Sequence, residues 1–592
     1  MSFTKNKKIL VGLLVFLLVN VLIIAITLGV RIGQKQESFS TALTFLVRTV
    51  YLDNFLRQNP LLLGSLTLVG YLALGRGKSE AFIGALKTAI GIFLLSIGSG
   101  ALVGLAKPVF DAIKGVKSGG VVPLDPYFGW ASVTNFLGKS FGTGNEFVSL
   151  ISFSFIVAFV VNILMVLGKK FTNTNAIMIT GHVMLQQSAI VTALLYVILF
   201  RSFPLTDQGA IGAGSQVGLV LISGLFLGIY WATSSVATLK ITNLVTQNAG
   251  FAVGHQQMLS LFTSYKIGRF FGNKENSAEN RKLPSYLKIF EDNIFTQTII
   301  ILVLFVVLFT IIIGYYGVEN VIKPDFSGFD APAAASEATK TVVKAIGSSW
   351  NSSFGGANFV FIIIGGVLKI VAALLAIITG VRMFVTELQQ SFHGISEKII
   401  PGAVVAVDIA ATYGFAINAV TYGFLGGVLG QFLAVFVVIG LAAIPGNNYI
   451  VIAVPLFITL FFNSGAMGVF ANASGGWKAS FIAPAIIGFL EIVVISFALK
   501  LVQNIEGVGI PIGQSPVATG FLGMGDWNLF FGFTLIIGQF HAILGWVSVA
   551  IAIIGLILLG QIVDSTKQTK KTWLQKLFKV NVDLVDKPEE VN

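Results

Sequence analysis

The stretch "MITGHVMLQQSA", residues 178–189, runs without a break into "IVTALLYVILF", residues 190–200. A histidine and two glutamines thus sit inside a run that is otherwise apolar enough to span a bilayer. The same trio returns in "GFAVGHQQMLS", residues 250–260. A polar side chain in hydrocarbon is costly unless it meets a partner or faces a wet cavity. Two such sets point to a polar chamber between helices.

The rest of the chain sets the solvent. Of its 592 residues 55% are hydrophobic and only 11% charged, where a soluble globule carries about 25% charged residues. Mean hydropathy is +0.87. The chain therefore reads as an all-α polytopic membrane protein. Its 65 Gly and 51 Phe suit close helix contacts and bulky lipid-facing surfaces. The net charge of +12 belongs in cytoplasmic loops and needs no nucleic-acid partner. With no cysteine, disulfides, thiolate catalysis and Cys-ligated metals are excluded. The four histidines, His182, His255, His393 and His541, give no basis for a metal cluster, and no cofactor is expected. No GxxxxGK[ST] phosphate loop occurs, so the chain carries no phosphoryl donor site of its own.

Hydropathy predicts an uncleaved first span at residues 9–30, because the run is too long for a signal-peptide core. Residues 38–58, with Arg48, Asp53 and Arg57, read as an interfacial amphipathic segment. Further spans are expected near 60–75, 81–106, 147–168, 176–200, 211–232, 294–316, 358–380, 424–444, 479–501 and 529–560. Apolar segments broken by Gly, Pro and polar residues lie at 127–143, 248–264, 402–421 and 449–476. Irregular backbone at membrane depth lines a cavity or is buried in protein, so these are expected to be re-entrant hairpins. Residues 265–288 hold six Lys/Arg against two Glu, and 566–580 hold five Lys and no acid. Both segments, and with them both termini, are expected in the cytoplasm, which favours an even count of about twelve spans. Residues 317–356 read as an external loop, and 380–402 as a surface amphipathic helix with Arg382, Glu387 and Lys398 solvated or paired.

Set out together, the intramembrane polar residues form a pattern. His182 and Gln186 are four apart, on one helix face. His255 and Gln256 follow Gly254 in a broken segment. Asp408 lies in "PGAVVAVDIAATYGF" with apolar residues on both sides. Asp125 and Tyr127 lie in "PLDPYFGW", where two prolines forbid a regular helix. Asn463, Ser464 and Asn472 decorate a third segment, and Lys87 and Lys369 either join the site, snorkel or pair with acids. Amides and imidazoles suit a polyhydroxylated ligand, whose hydroxyls both donate and accept. A lone residue of this kind is equally served by a bond to a neighbouring helix; the repetition favours a site.

The stretches "IMITGHVMLQQSA", "GFAVGHQQ", "FEDNIF", "GVRMFVTELQQSFHGISEKIIPGAVVAVD" and "GVFANASGGWKA" resemble the ascorbate-type enzyme IIC, the membrane component of the phosphoenolpyruvate-dependent sugar phosphotransferase system. The likeness runs from about Asn59 to Gly560. It implies about 11–12 transmembrane helices with re-entrant hairpins, two inverted repeats, core and scaffold domains, and a homodimer in the cell membrane. It divides the chain into an extra N-terminal helix and interfacial segment (1–58), the transporter domain (59–560) and a basic cytoplasmic tail (561–592). It also implies uptake of L-ascorbate with phosphorylation to L-ascorbate 6-phosphate, the phosphoryl group coming from a separate enzyme IIB charged by enzyme IIA. The family's substrate contacts fall on Pro126, Tyr127, His182, Gln186, His255, Gln256 and Asp408. Pro126 departs from the family pattern, which has Thr there. The 9–30 helix, the 317–356 loop and an extension around 503–520 also exceed that pattern.

Phosphorylation needs a general base within reach of the substrate's primary hydroxyl. Asp408, read as deeply placed, is the first expectation, and His255 the second. Two other functions fit the same residues: an ion-coupled secondary transporter, and a phosphotransferase permease for a related sugar or polyol.

Overall fold

The computed structural model describes residues 14, 17–46, 49–50, 54, 59–116, 121–130, 133, 146–199, 213–281, 292–399, 403–447, 449–503, 520–538, 540–566 and 568–584. Among them, eight helices are long and apolar enough to cross a membrane, with three shorter apolar helices besides. In chain order the helices are α1 (Leu17–Gln34), α2 (Phe39–Phe45), α3 (Asn59–Ala73) and α4 (Lys78–Val116). Strand β1 (Val121–Leu124), α5 (Glu146–Leu167), β2 (Ala176–Met178), α6 (Gly181–Leu199), α7 (Ala213–Val245), β3 (Ala252–Val253) and α8 (Met258–Gly268) follow. Then come α9 (Asn293–Tyr316), α10 (Glu337–Trp350), α11 (Phe359–Ile399), β4 (Val404–Val407), α12 (Ile417–Ala443), β5 (Ile452–Pro455) and α13 (Ser464–Gln503). The chain closes on α14 (Phe531–Gly538), α15 (Ala542–Ile562) and α16 (Trp573–Leu577).

The helices pack as two groups. One comprises α3, α4, α9, α10 and α11; the other comprises α5, α6, α7, α8, α12, α13, α14 and α15. In the first, Glu387 of α11 is buried. It accepts from the Tyr71 hydroxyl of α3 at 2.6 Å and pairs with Lys87 of α4 at 3.1 Å. In the second, α12 lies on α13 through Gly423, Gly426, Gly427 and Gly430, spaced so that the two backbones nearly touch. Within α13, Gly476 has φ 68° and breaks the helix. A side chain there would meet the carbonyl oxygens of Asn273 and Asn276 at 2.4 Å.

The short strands organise everything else. β1 pairs in parallel with β5 and is bridged by Phe521, and β4 pairs in parallel with both β2 and β3. In the first half of the chain, α4, α5 and α7 each precede a strand; in the second half α11, α12 and α13 precede β4, β5 and the Phe521 bridge. Each half keeps none of its strands to itself. Its first strand becomes the centre of a sheet whose edges come from the other half. The two halves thus have equivalent topology and are interlocked.

Several expectations need correction. The segment 380–402 is no separate surface helix: through Ile399 it is the continuation of α11, its Glu387 facing α3 and α4 rather than solvent. The 529–560 run is two helices, α14 and α15, broken before His541, whose Nδ1 accepts from the Ile543 amide at 3.2 Å and caps α15. The 317–356 segment is not a plain loop; it holds α10 and a bridge between Ile322 and Phe329. Lys369 donates to the Ser352 carbonyl at 2.9 Å. Much of 1–58 lies outside the described residues, as does most of the 127–143 segment.

Gly430→Val tests the close packing of α12 on α13. Its Cβ would lie 2.0 Å from the Ala485 carbonyl oxygen, and overpacking of this kind costs about 1–3 kcal/mol. Thermal unfolding in detergent should show that loss, while Gly440→Val, whose Cβ meets nothing within 4 Å, should leave the transition in place.

Candidate functional site

Three strands of one sheet end together, and each end carries polar residues. Beyond β2, the Ile179 amide donates to the Ala406 carbonyl at 3.0 Å, and beyond β3 the Gly254 amide donates to the Val407 carbonyl at 2.8 Å. One or two residues further on come Thr180, His255 and Asp408. α6, α8 and the 3-10 turn Ile409–Phe415 therefore start side by side.

The side chains there are knitted together. Gln256 Nε2 donates to Gln186 Oε1 at 2.6 Å. Gln187 Nε2 donates to the His255 carbonyl at 3.2 Å, while Trp231 Nε1 donates closely to Gln187 Oε1. Gln257 Nε2 donates to the Phe462 carbonyl at 3.2 Å, which also accepts the Tyr413 hydroxyl at 3.1 Å. Gln257 Oε1 accepts the Gln256 amide at 3.1 Å and makes a close contact with His255 Nδ1. Because that oxygen can only accept, His255 Nδ1 is the donor in this contact. Gln256 Oε1 is buried with no hydrogen-bond partner among the described residues. The site thus presents the Gln256 oxygen as an acceptor to a hydroxylated ligand.

The other sheet closes the region. Asp125 follows β1 and caps the short helix 126–130, its Oδ1 accepting from the Tyr127 amide at 2.9 Å. Pro126 fits the first helical position, where no N–H is needed. Tyr127 is buried and lines a small cavity with Asp125, Gln297, Ile301, Leu374, Ile378 and residues 456–458. The segment 456–463 joins the two sheets. At one end the Leu456 amide and the Thr459 hydroxyl donate to the Leu124 carbonyl; at the other, Phe462 receives Gln257 and Tyr413. At the rise of a helix those two ends are about 9 Å apart.

Gln186, His255 and Gln256 are thus in one cluster, Asp408 stands on the adjoining strand end, and Pro126 and Tyr127 stand at the end of the second sheet, which segment 456–463 links to the first. His182 lies in the first turn of α6; its side chain is outside the described part. Asp408 is placed differently from expectation. It is half-buried, its Oδ1 accepting from the Ala410 amide at 2.9 Å, because a residue that starts a helical turn at the end of a strand sits at the rim of the packing.

The fully buried acids are others. Asp526 accepts from the Leu259 and Ser260 amides, the Ser260 hydroxyl and the Tyr230 hydroxyl, at 2.6–2.8 Å. It therefore fastens the segment after Phe521 to the start of α8. Glu491 accepts from Asn463 Nδ2 at 2.8 Å, and Asn463 Oδ1 accepts from the Gly525 amide at 3.1 Å. Their signals in the sequence were lone acids in apolar runs, "FLGMGDWNLFFGF" and "GFLEIVVISF". The second glutamine of each doublet, Gln187 and Gln257, was also passed over. The doublet itself was the clue: one glutamine faces the site and its neighbour braces the turn.

A fold of apolar spanning helices around a buried polar site made of broken segments is that of a membrane transporter. More particularly, the family described as PTS system sugar-specific permease component matches residues 54–532, and the chain belongs to that family. It is 50% identical, over a 662-residue alignment covering 98% of each chain, to the ascorbate-specific PTS system EIIC component of Mycoplasma pneumoniae.

Asp526→Asn should test the fastening. An amide would set N–H against donors, at a cost on the order of 3 kcal/mol. A large loss of thermal stability is expected, and an unchanged transition would contradict the role.

Proposed function

We propose that this chain is the membrane permease of an L-ascorbate phosphotransferase system, which takes up L-ascorbate while a separate phospho-enzyme IIB, recharged by enzyme IIA, converts it to L-ascorbate 6-phosphate. Family membership and the name of the Mycoplasma pneumoniae relative support it. The observation that carries it is the buried, unpartnered Gln256 Oε1 beside Gln186 and His255, where the broken segments meet. Ascorbate is a small anion with free hydroxyls, and a hydroxyl donates to that oxygen. A site without a full counter-charge binds such an anion and releases it again.

In this reading the substrate is held by Pro126 (through its backbone), Tyr127, His182, Gln186, His255, Gln256 and Asp408. The base removes the proton from O6 as that oxygen attacks the phosphocysteine of enzyme IIB, and the thiolate leaves. Asp408, on the accessible rim, is the first candidate. His255, held by Gln257, is the second. The interlocked helix group then moves as one body against α3, α4, α9, α10 and α11, with residues 59–560 as the transporter unit, a second copy as dimer partner, and both termini in the cytoplasm. Added phosphate charge expels the product and makes uptake one-way. Membership of a phosphotransferase family weighs against an ion-coupled transporter, and the relative's name against another sugar or polyol.

Vesicles supplied with the soluble partners and phosphoenolpyruvate should form ascorbate phosphate. Asp408→Asn should still bind ascorbate but lose phosphorylation by about 100-fold or more. Retained phosphorylation in Asp408→Asn together with its loss in His255→Gln would transfer the role to His255. Uptake that continues without enzyme IIB and collapses with the proton gradient would refute the proposal.

A further inference from the structure

We propose that Gln297, on α9, is a further substrate-contacting residue, offered from the opposite helix group. The inference rests on the ascorbate reading. Tyr127 and Asp125, at the end of the β1 sheet, do not face only their own group. The cavity they line is closed on its far side by Gln297 and Ile301 of α9 and by Leu374 and Ile378 of α11. In that otherwise apolar far wall Gln297 is the polar side chain. It is only 4% exposed, and its Oε1 has no hydrogen-bond partner among the described residues.

A carboxamide oxygen left unpaired in such surroundings is costly. Its neighbours on α9 are handled otherwise: Thr298, one residue on, turns its hydroxyl back to the Ile294 carbonyl at 2.7 Å. A hydroxyl of a small polyhydroxylated ligand seated on Tyr127 would satisfy the Gln297 oxygen. Gln297 then specifies a hydroxyl, because an acceptor rejects a ligand that has only another acceptor there.

The placement has a mechanical consequence. Pro126, Tyr127, Gln186, His255, Gln256 and Asp408 belong to the broken segments and their group, whereas Gln297 belongs to the other. The bond exists only while the two groups face each other as they do here, and it breaks when one slides past the other. Gln297 therefore favours loading in this arrangement and takes no part in the phosphoryl step.

The test uses the full-length chain in detergent and in vesicles. Ascorbate binding is measured by calorimetry, and phosphorylation with enzymes IIA and IIB, for the unaltered protein, Gln297→Met, Gln297→Glu and Thr298→Ala. Met keeps the length of the side chain without the acceptor, so Kd and KM should rise about tenfold, equivalent to one lost hydrogen bond, with kcat nearly unchanged. Glu keeps an acceptor but adds a charge facing an anion, so its affinity should fall further than that of Met. Thr298→Ala should match the unaltered protein. Thermal unfolding separates contact from structure: a lower transition with unchanged Kd would overturn the proposal. Equal affinity of Met, Glu and unaltered protein would overturn it too. An unaltered protein that does not bind ascorbate at all would overturn the ascorbate reading, and the proposal with it.

Discussion

Backbone groups at membrane depth have no water to turn to, and each one left unpaired costs several kcal/mol. The broken segments of this chain run two to four residues in extended form, too short to satisfy themselves. Their amides and carbonyls are paired because the halves trade strands: β1 lies between β5 and Phe521, and β4 between β2 and β3. Neither half can complete its hydrogen bonding alone. The exchange holds the broken segments at one place and lines up the starts of α6, α8 and the 409–415 turn.

Those helix starts bring the glutamine doublets together, and the doublets give the site its character. Gln187 and Gln257 spend their amides on the fold, which fixes the ring of His255 and leaves Gln186 and Gln256 to meet a ligand. Asp526 adds a second layer: its carboxylate ties the strand-bearing segment after Phe521 to the first turn of α8, 266 residues earlier in the case of Ser260. A group built this way is suited to move as a unit, because its internal contacts are directional and buried.

Much of this was legible in the sequence. Composition gave the all-α membrane class, and polar residues in apolar runs marked Gln186, His255, Gln256 and Asp408. The strands were not legible, since a two-residue segment such as β3 has no period to detect. The polar face of 380–399 read as a surface with Glu387 solvated or paired, because a sequence cannot tell water from Tyr71 and Lys87 as its partners. Asp526 and Glu491 left only the trace of lone acids in apolar runs: their partners are far off in the chain, and no local pattern names them. The break between α14 and α15 was hidden by uninterrupted hydropathy, although His541, a polar residue where none was needed, was its trace.

The most direct measurement is a structure of the full-length protein with ascorbate bound. The account predicts ligand density between the ends of the two sheets, with a hydroxyl oxygen about 2.6–3.2 Å from Gln256 Oε1. Density elsewhere, with the Gln256 oxygen still unpartnered, would contradict it.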